Sequence, residues 1–367
     1  MAQQSGFDVC AAAFERPSHK GRPPSCPVST LGHIEHGRYL ARLLKMIVAL
    51  PALRAAVSRT DIVYASGLEM ALMALIAGFG LKRPIVIEIG DIRGIQVRRG
   101  LLGELVRWFD KRIVDACSLL VATSPSFVHQ YYRRRLKSRV PALIVENKLE
   151  PSSANAPVLR RAPMSANQPL RIGYFGVLRC EWSWQMLSEM ARLDPSIEIV
   201  LAGIPLAPAN LAEMVRERPN IRYLGTYRSP QDLADLYAQV DIVWACYPPP
   251  TGDAEWRWAQ KICRTNRFYE CCAFGTPIIA IENTDDADAV AHFDIGLVAT
   301  DDLVNDPRAL IAQIDNQRLD HWRDQLRCLP RSIYEYSSEA SELATSIVAL
   351  HQRALRLTAS PKGSQSS

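Results

Sequence analysis

The chain has 367 residues, 48% of them hydrophobic, and its formal net charge is +5. The length favours two domains, and the hydrophobic fraction is typical of an ordinary globular protein. Nine cysteines without a CxxC pair argue against a disulfide framework and favour a reduced, cytoplasmic compartment, and the longest apolar run, residues 70–80, is too short to span a bilayer.

The first half of the chain alternates apolar strands with helical patterns. Runs rich in valine and isoleucine predict strands at 7–14, 61–66, 84–90, 118–124 and 142–147. Amphipathic periodicity predicts helices at about 36–57, 67–79, 101–116 and 125–136. Continuous apolar strands between such helices predict a parallel sheet that is covered on both faces.

Basic side chains are concentrated in this half. Between Arg93 and Arg139 there are eleven Lys or Arg and three acids, which indicates a basic surface suited to phosphates or anionic lipid. The run "RRRLKSR" at 133–139 is either a solvated helix end or a peripheral membrane contact. Without aromatic interleaving or a recognised module, the basic surface does not indicate nucleic-acid binding.

Residues 150–169 carry four prolines and no periodicity, and they predict an interdomain linker. The second half then repeats the alternation, with strands at 170–176, 197–203, 221–225, 241–247, 277–282 and 295–299. Helices are expected near 183–193, 208–217, 230–239, 264–274 and 306–316. The pattern is that of a second doubly wound domain.

Two doubly wound Rossmann-like domains are therefore expected, with the active site in the interdomain cleft. The predicted boundaries are 1–150, the linker 151–169, 170–335, a helix at 336–357 that returns to the first domain, and a disordered tail at 358–367.

The stretch "GYFGVLRCEWSW" (173–184) leads from a strand into a helix through Gly176. A helix N-terminus offers unpaired N–H groups, and Arg179 adds a planar cation suited to a diphosphate. The alternative is a tight turn in which Arg179 pairs with Glu181. The two tryptophans are expected to pack beneath the helix.

A second cluster follows in "KICRTNRFYECCAFGTPIIAIE" (261–282). Lys261, Arg264 and Arg267 supply cations, and Glu270 lies three residues after Arg267 on the same helix face. A carboxylate there is suited to a ribose diol and the cations to a diphosphate. The alternative is an ordinary surface ion pair.

A third cluster lies at the predicted carboxyl end of the strand 84–90, where Glu88, Asp91 and Arg93 are close in sequence. Asp91 could act as a general base on an acceptor hydroxyl, or it could cap a helix. His33 and His36 resemble a metal pair, but no further ligands are spaced to join them, so no metal site is predicted.

These residues resemble the GT-B-fold glycosyltransferases of the broad family 4 type, in particular the bacterial group that builds exopolysaccharide repeat units, such as the succinoglycan glycosyltransferases. The similar stretches span about residues 60 to 300, and "GVLRC" and "NRFYE" before "GTP" are the most specific of them. The resemblance implies a UDP- or GDP-linked sugar donor and no further cofactor.

By this resemblance, Gly176 and Arg179 contact the donor diphosphate, Asn266 and Arg267 lie close by, and Glu270 holds the ribose. The same resemblance places Lys261 with the phosphate-binding cations.

The resemblance also implies which residues lie next to the nucleobase of the donor and which lie next to the acceptor. Tyr227 and Tyr247 would flank the base, while Asp91, with Glu88 beside it, would lie nearest the acceptor. The acceptor would be a glycan or a polyprenyl-diphosphate-linked sugar at the inner face of the cytoplasmic membrane.

The sequence departs from the family pattern at three points. Ile262 occupies the position of a second glutamate, and Val177 and Trp182 stand where the family carries Arg and Lys. The stretch "GFDVCAAAFERP" also follows "MAQQSG" directly, so the family's first strand–helix unit is expected to be missing. These departures leave a second hypothesis open, namely a degenerate, catalytically impaired protein that acts as a binding partner.

Overall fold

The structure is a computed structural model that describes residues 6–15, 25–34, 39–151, 168–216, 218–247 and 254–359. The chain divides into two compact units: unit 1 is Met1–Glu146 with Ser337–Ser367, and unit 2 is Asn147–Tyr336. Most of the predicted linker and tail, together with His36, lie outside the described residues.

Unit 1 begins with alternating strands and helices. They are β1 (Ala11–Glu15), β2 (Val28–His33), α1 (Tyr39–Ser58), β3 (Val63–Ser66), α2 (Leu68–Ala77), β4 (Ile85–Ile89), α3 (Gly94–Val97), α4 (Leu101–Ala116), β5 (Leu119–Ala122), a π-helical segment (Phe127–Arg135) and β6 (Ala142–Ile144).

The strands of unit 1 form two parallel sheets within the described residues. One contains β1 and β2, and the other has the order β3-β4-β5-β6. The sequence predicted a single sheet and did not predict β2, whose residues are mostly exposed. The predicted strand at 7–14 is observed as Ala11–Glu15, and it pairs with β2 rather than with the larger sheet.

Unit 2 has a longer alternation. Its elements are β7 (Leu170–Leu178), α5 (Glu181–Leu193), β8 (Ile197–Pro205), α6 (Leu211–Val215), β9 (Ile221–Tyr223), α7 (Leu233–Tyr237), β10 (Ile242–Ala245), α8 (Ala254–Lys261), α9 (Asn266–Phe274), β11 (Ile278–Ile281), α10 (Asp285–Phe293), β12 (Gly296–Ala299), α11 (Pro307–Ala312) and α12 (Asn316–Cys328).

All six strands of unit 2 lie in one parallel sheet with the order β12-β11-β10-β7-β8-β9. Counted within the unit, this is the doubly wound order 3-2-1-4-5-6, and its topological switch point lies between β7 and β10. Ile172 and Phe175 of β7 belong to different hydrophobic clusters, so the sheet is covered on both faces. The carboxyl ends of β7 and β10 are therefore the expected place for a ligand.

The last helix is α13 (Glu339–Ala359), and it belongs to unit 1. Its Leu343 and Ile347 pack with Ile62, while the neighbouring Val63 packs with α1 and α2. Because adjacent strand residues point to opposite faces, α13 covers one face of the larger unit 1 sheet and α1 and α2 lie on the other.

Candidate functional site

Three neighbouring strands of unit 2 have a glycine with positive φ near their carboxyl ends. Gly176, Gly203 and Gly225 have φ values of 107°, 132° and 81°. Gly176 and Gly203 lie opposite each other in the β7–β8 register, and the Gly203 N–H donates to the Gly225 carbonyl over 2.8 Å. A Cβ atom at Gly225 would meet nothing within 4 Å, so this strand end is open to a close ligand, whereas one at Gly203 would lie 1.7 Å from the Gly176 carbonyl oxygen.

Arg267 of α9 lies directly against Gly176. A Cβ atom at position 176 would stand 2.3 Å from Arg267 Nη1, and Nη1 donates to the Phe175 carbonyl over 2.7 Å. The glycine is thus required for the approach of the guanidinium to the end of β7, which is the strand at the switch point.

Glu270 holds Arg267 in a bidentate ion pair. Arg267 Nε and Nη2 donate to Glu270 Oε2 and Oε1 over 2.7 and 3.0 Å. The two side chains are only 13% and 8% exposed, so the alternative of a surface ion pair is wrong. A buried pair of this geometry fixes the direction of the guanidinium.

Tyr237 completes the contacts of Glu270. The Tyr237 hydroxyl donates to Glu270 Oε2 over 2.6 Å. Burial and the nearby Glu270 carboxylate raise the pKa of Tyr237 well above its ordinary value, so the phenol stays protonated and remains a donor. Burial is the largest single influence on Arg267 and lowers its pKa, but the charge and hydrogen bond of Glu270 act together with Tyr237 and Tyr227 to shift the pKa well upward.

Tyr227 and Tyr247 surround the same ion pair. Burial raises the pKa of Tyr227, and the charges of Arg267 and Glu270 both act on it. The charge of Arg267 also acts on Tyr247, whose ring lies 6.1 Å from that of Tyr174. Both tyrosines, which the family resemblance assigned to the nucleobase, are half-buried and within electrostatic range of Arg267.

The start of α9 is anchored from beneath by a buried carboxylate. Asp286 accepts bonds from Thr265 Oγ1 and the Thr265 N–H over 2.6 and 3.1 Å. Burial raises the pKa of Asp286 to about 6. Because Thr265 is the N-cap residue of α9, Asp286 fixes the helix that carries Arg267.

The other cations predicted near α9 are differently placed. Arg264 donates to the Asp285 carbonyl over 3.1 Å and lies over the Phe268 ring, so it does not share the position of Arg267. Lys261 is half-buried at the end of α8, and Asn266 is exposed in the first turn of α9.

Arg179 is exposed in the turn between β7 and α5. It has no hydrogen bond or ion pair among the described residues, and the alternative of a pair with Glu181 is not observed there. The N-cap of α5 is Cys180, without a side-chain cap, so the N–H groups of this helix end are open to an anion.

The two tryptophans of this stretch pack beneath the helix, as predicted. Trp184 is buried, and the Trp182 ring lies 5.7 Å from that of Trp244 in the same hydrophobic cluster.

The candidate residues of unit 1 lie at the carboxyl end of β4. Glu88 is half-buried and Asp91 is exposed. The N-cap position of α3 is occupied by Arg93, not by Asp91. Arg93 donates to Glu69 over 2.8 Å, and Arg42 binds the other oxygen of Glu69, so Glu69 is committed to two arginines.

Two arginines of the basic run at 133–139 bind backbone carbonyls, while Arg134, Lys137 and Arg139 are exposed. Arg133 donates to the Ser138 carbonyl over 2.7 Å and also binds the Val140 carbonyl, and Arg135 donates to the Val97 carbonyl over 3.2 Å. These arginines tie the end of the π-helical segment to its own unit.

No metal cluster is formed by the described residues: nowhere among them do three His, Cys, Asp or Glu side chains come together. His33 instead lies 3.3 Å from Glu15.

Sequence reasoning missed four residues of the site: Gly203, Gly225, Tyr237 and Asp286. The glycines did leave a signal, because "LRIGYFG", "IEIVLAG" and "IRYLG" all end in glycine. Tyr237 and Asp286 left none, because each reaches the site from a separate helix.

The chain is similar to known proteins both in sequence and in structure. No protein-family model matches the chain. The chain is 32% identical over 281 residues to the succinoglycan biosynthesis protein ExoL of Rhizobium meliloti (strain 1021), covering 73% of this chain and 68% of that protein.

Several solved structures share the fold at low sequence identity. HepE of Anabaena in complex with UDP and glucose is 16% identical, with a TM-score of 0.59 over 92% of this chain and 87% of that one. WaaG, a glycosyltransferase involved in lipopolysaccharide biosynthesis, is 14% identical, with a TM-score of 0.63 over 94% and 93%. Sucrose-phosphate synthase from Thermosynechococcus elongatus is 16% identical, with a TM-score of 0.64 over 98% and 91%.

Proposed function

The chain belongs to the GT-B-fold glycosyltransferases, in the family of the succinoglycan biosynthesis protein ExoL, and on this premise we propose that it transfers a sugar from a UDP- or GDP-linked donor to a glycan or polyprenyl-diphosphate-linked acceptor. The relationship to a biosynthesis protein favours an enzyme of exopolysaccharide or cell-surface polysaccharide synthesis over a degenerate binding protein. The UDP and glucose held by HepE support a nucleotide-sugar donor.

One observation carries the donor assignment: Arg267 lies against Gly176 at the carboxyl end of the switch-point strand. Three of the five N–H groups of a guanidinium are used within unit 2, by Phe175 and Glu270. The other two are available to oxygens of a diphosphate. Because Glu270 and Tyr237 fix the guanidinium before a ligand arrives, little reorganisation is needed on binding.

The leaving diphosphate would be stabilised by three groups of unit 2. Arg267 supplies a buried cation, Arg179 supplies an exposed one, and the uncapped N-terminus of α5 supplies N–H groups. Fixed donors that face a developing negative charge are a strong source of catalysis. Tyr227 and Tyr247 offer ring faces to the nucleobase, and Gly225, where a Cβ atom would meet nothing within 4 Å, leaves room beside it.

The main role that we propose for Glu270 differs from the ribose binding that the family resemblance implies. Its oxygens already accept three hydrogen bonds, from Arg267 and Tyr237, and a carboxylate has about four lone-pair positions. We therefore propose that it positions Arg267 and offers at most one contact to the ribose.

On the acceptor side we propose Asp91 as the base, with Glu88 as the second candidate. Asp91 is exposed and Glu88 is half-buried, and an accessible carboxylate can approach an acceptor hydroxyl.

Substitution of Arg179 tests the donor site without disturbing the fold, because its side chain is exposed and unpaired among the described residues. We expect Arg179→Ala to weaken UDP or GDP binding about tenfold, as measured by titration calorimetry, since one charge-assisted hydrogen bond is lost. The control is Arg192→Ala at the other end of α5, where Arg192 pairs with Glu189. Equal affinities of Arg179→Ala, Arg192→Ala and the unmodified chain would remove Arg179 from the site.

A further inference from the structure

Three helices of unit 1 expose large apolar side chains to solvent. We call this set the apolar helix face. Its members are Leu43, Leu44, Ile47 and Val48 on α1, Leu72 and Ile76 on α2 with Phe79 just after it, and Leu101, Leu102, Leu105, Trp108 and Phe109 on α4.

The three helices adjoin. Helix α2 packs against both α1 and α4, and α1 and α2 share a hydrophobic cluster on the face of the sheet opposite to α13. On α4 the exposed residues recur at helical spacing, while Asp110, Ile113 and Val114 are buried. The stripes therefore form one outward surface on the same side of unit 1.

Such a surface is unusual for a protein that is surrounded by water. In the described part of unit 2 the exposed large apolar residues are fewer, namely Val177, Ile204, Leu206 and Leu224, and they lie near the carboxyl ends of strands, where Val177 and Ile204 are partners in the β7–β8 register. Scattered apolar residues need no explanation, whereas a contiguous patch marks an interaction surface.

The charges around the apolar helix face are mostly basic. The exposed Arg98 and Arg99 precede α4. Helix α1 carries Arg42, Lys45 and Arg54 and no acid; Arg42 pairs with Glu69 of α2, while Lys45 and Arg54 donate to backbone carbonyls and keep their charge. Arg112 lies over the Trp108 ring, 5.3 Å from its centroid. An apolar stripe bordered by basic residues complements an anionic lipid surface.

We propose that the apolar helix face docks unit 1 onto a membrane that contains anionic lipid. The leucines, Trp108 and Phe109 enter the boundary between headgroups and acyl chains, and the arginines contact lipid phosphates. No described helix of the chain has the length and hydropathy that a bilayer crossing requires. The docking surface is on α1, α2 and α4 rather than on the basic run at 133–139, because the only leucine of that run, Leu136, is buried.

Vesicle sedimentation of the full chain tests the proposal. The unmodified chain is expected to sediment with vesicles of phosphatidylcholine and phosphatidylglycerol, and less with phosphatidylcholine alone or at high salt. In Leu105→Ser/Trp108→Ser the bound fraction at fixed lipid should fall about tenfold or more, because two half-exposed apolar side chains are lost.

Leu355→Ser is the matched control. Leu355 is 53% exposed, Leu105 is 52% exposed, and Leu355 lies on α13, which covers the opposite face of the sheet. Its binding should equal that of the unmodified chain, and circular dichroism should show all variants folded.

Two results would overturn the proposal. One is equal vesicle binding by Leu105→Ser/Trp108→Ser and Leu355→Ser. The other is no vesicle binding together with a dimer in sedimentation velocity that Leu105→Ser/Trp108→Ser converts to monomer, because the face would then bind a second copy. The assay contains no nucleotide, so its outcome is independent of the donor site.

Discussion

The two units use the same alternation of strands and helices but differ in whether their strands form one sheet or two. In unit 2 six strands form one sheet, and near the carboxyl ends of β7 and β8 Gly176 and Gly203 pack closely against each other. In unit 1, within the described residues, β1 and β2 stand apart from the sheet that begins at β3. One continuous sheet, covered on both faces, can hold functional side chains in the interior. A sheet that is divided in two leaves more faces and edges for other molecules.

The charged groups show the same contrast. Unit 2 buries Arg267 against Glu270, while in unit 1 the pair of Arg93 and Glu69 is 57% and 36% exposed. A buried pair contributes both to stability and to ligand binding, so a single substitution cannot separate the two roles. An exposed pair contributes little to stability.

The largest expected effect is the removal of one partner of the buried pair. Glu270→Ala leaves Arg267 charged and Tyr237 without its acceptor, and we expect it to lower the free energy of unfolding by about 3–5 kcal/mol. Urea unfolding measures this change.

A combined variant separates fold from function at the same place. Arg267→Met/Glu270→Leu/Tyr237→Phe removes both charges and the phenol, and should keep the free energy of unfolding within about 1 kcal/mol of the unmodified chain. It should nevertheless lose UDP and GDP binding. Retained nucleotide binding would show that the pair is structural only, and would break the contrast between the units.

The next effect concerns the packed strand ends of unit 2. A Cβ atom at Gly203 would lie 1.7 Å from the Gly176 carbonyl oxygen, while one at Gly225 meets nothing within 4 Å. Gly203→Ala should therefore lower the free energy of unfolding by about 3 kcal/mol or more, from overpacking and backbone strain together.

Gly225→Ala is the control for this prediction, because it adds only the strain of a φ of 81°, about 1–2 kcal/mol. Similar costs for the two substitutions in urea unfolding would mean that β7 and β8 can move apart, and that the edge is less tightly closed than the structure shows.

Periodicity in the sequence predicted most of unit 2, because continuous apolar strands and glycine ends leave a strong pattern. The strands predicted at 170–176 and 197–203 were found as Leu170–Leu178 and Ile197–Pro205. The polar helices α10 and α12 were not predicted. Their signals are caps, and Thr284 and Asp315 each accept a bond from a backbone N–H at the helix start.

Site geometry was less predictable than secondary structure. The spacing in the sequence predicted that Arg267 and Glu270 share one helix face. It did not predict that they are buried, because their burial depends on Tyr237 of another helix. Likewise, no local pattern could show that the glycines of three strands adjoin. In unit 1 the basic composition drew attention to the run 133–139, but sequence does not show that Arg133 binds a backbone carbonyl of its own unit.

A smaller effect is expected from a buried carboxylate in unit 1. Asp110 accepts bonds from Gln96 and the Tyr131 hydroxyl over 2.7 and 2.8 Å, and burial raises its pKa to about 6. The folded chain thus keeps a proton that the unfolded chain loses near pH 4. The stabilisation is complete below about pH 4 and is lost as the pH rises through about 6.

Asp110→Asn removes this dependence. Relative to the unmodified chain, its free energy of unfolding should rise by about 2 kcal/mol between pH 4 and pH 7.

Asp115 on the same helix is the control with the opposite sign, because its bonds to Lys111 and Ser138 outweigh its burial and lower its pKa. Relative to the unmodified chain, Asp115→Asn should lose stability as the pH rises toward about 4, and should change little between pH 4 and pH 7. Asp286 of unit 2 also has a pKa of about 6, but it is unchanged in both variants and cancels in the comparison. A pH dependence in Asp110→Asn equal to that of the unmodified chain would mean that water reaches Asp110, so that even the buried polar groups of unit 1 are open in a way that those of unit 2 are not.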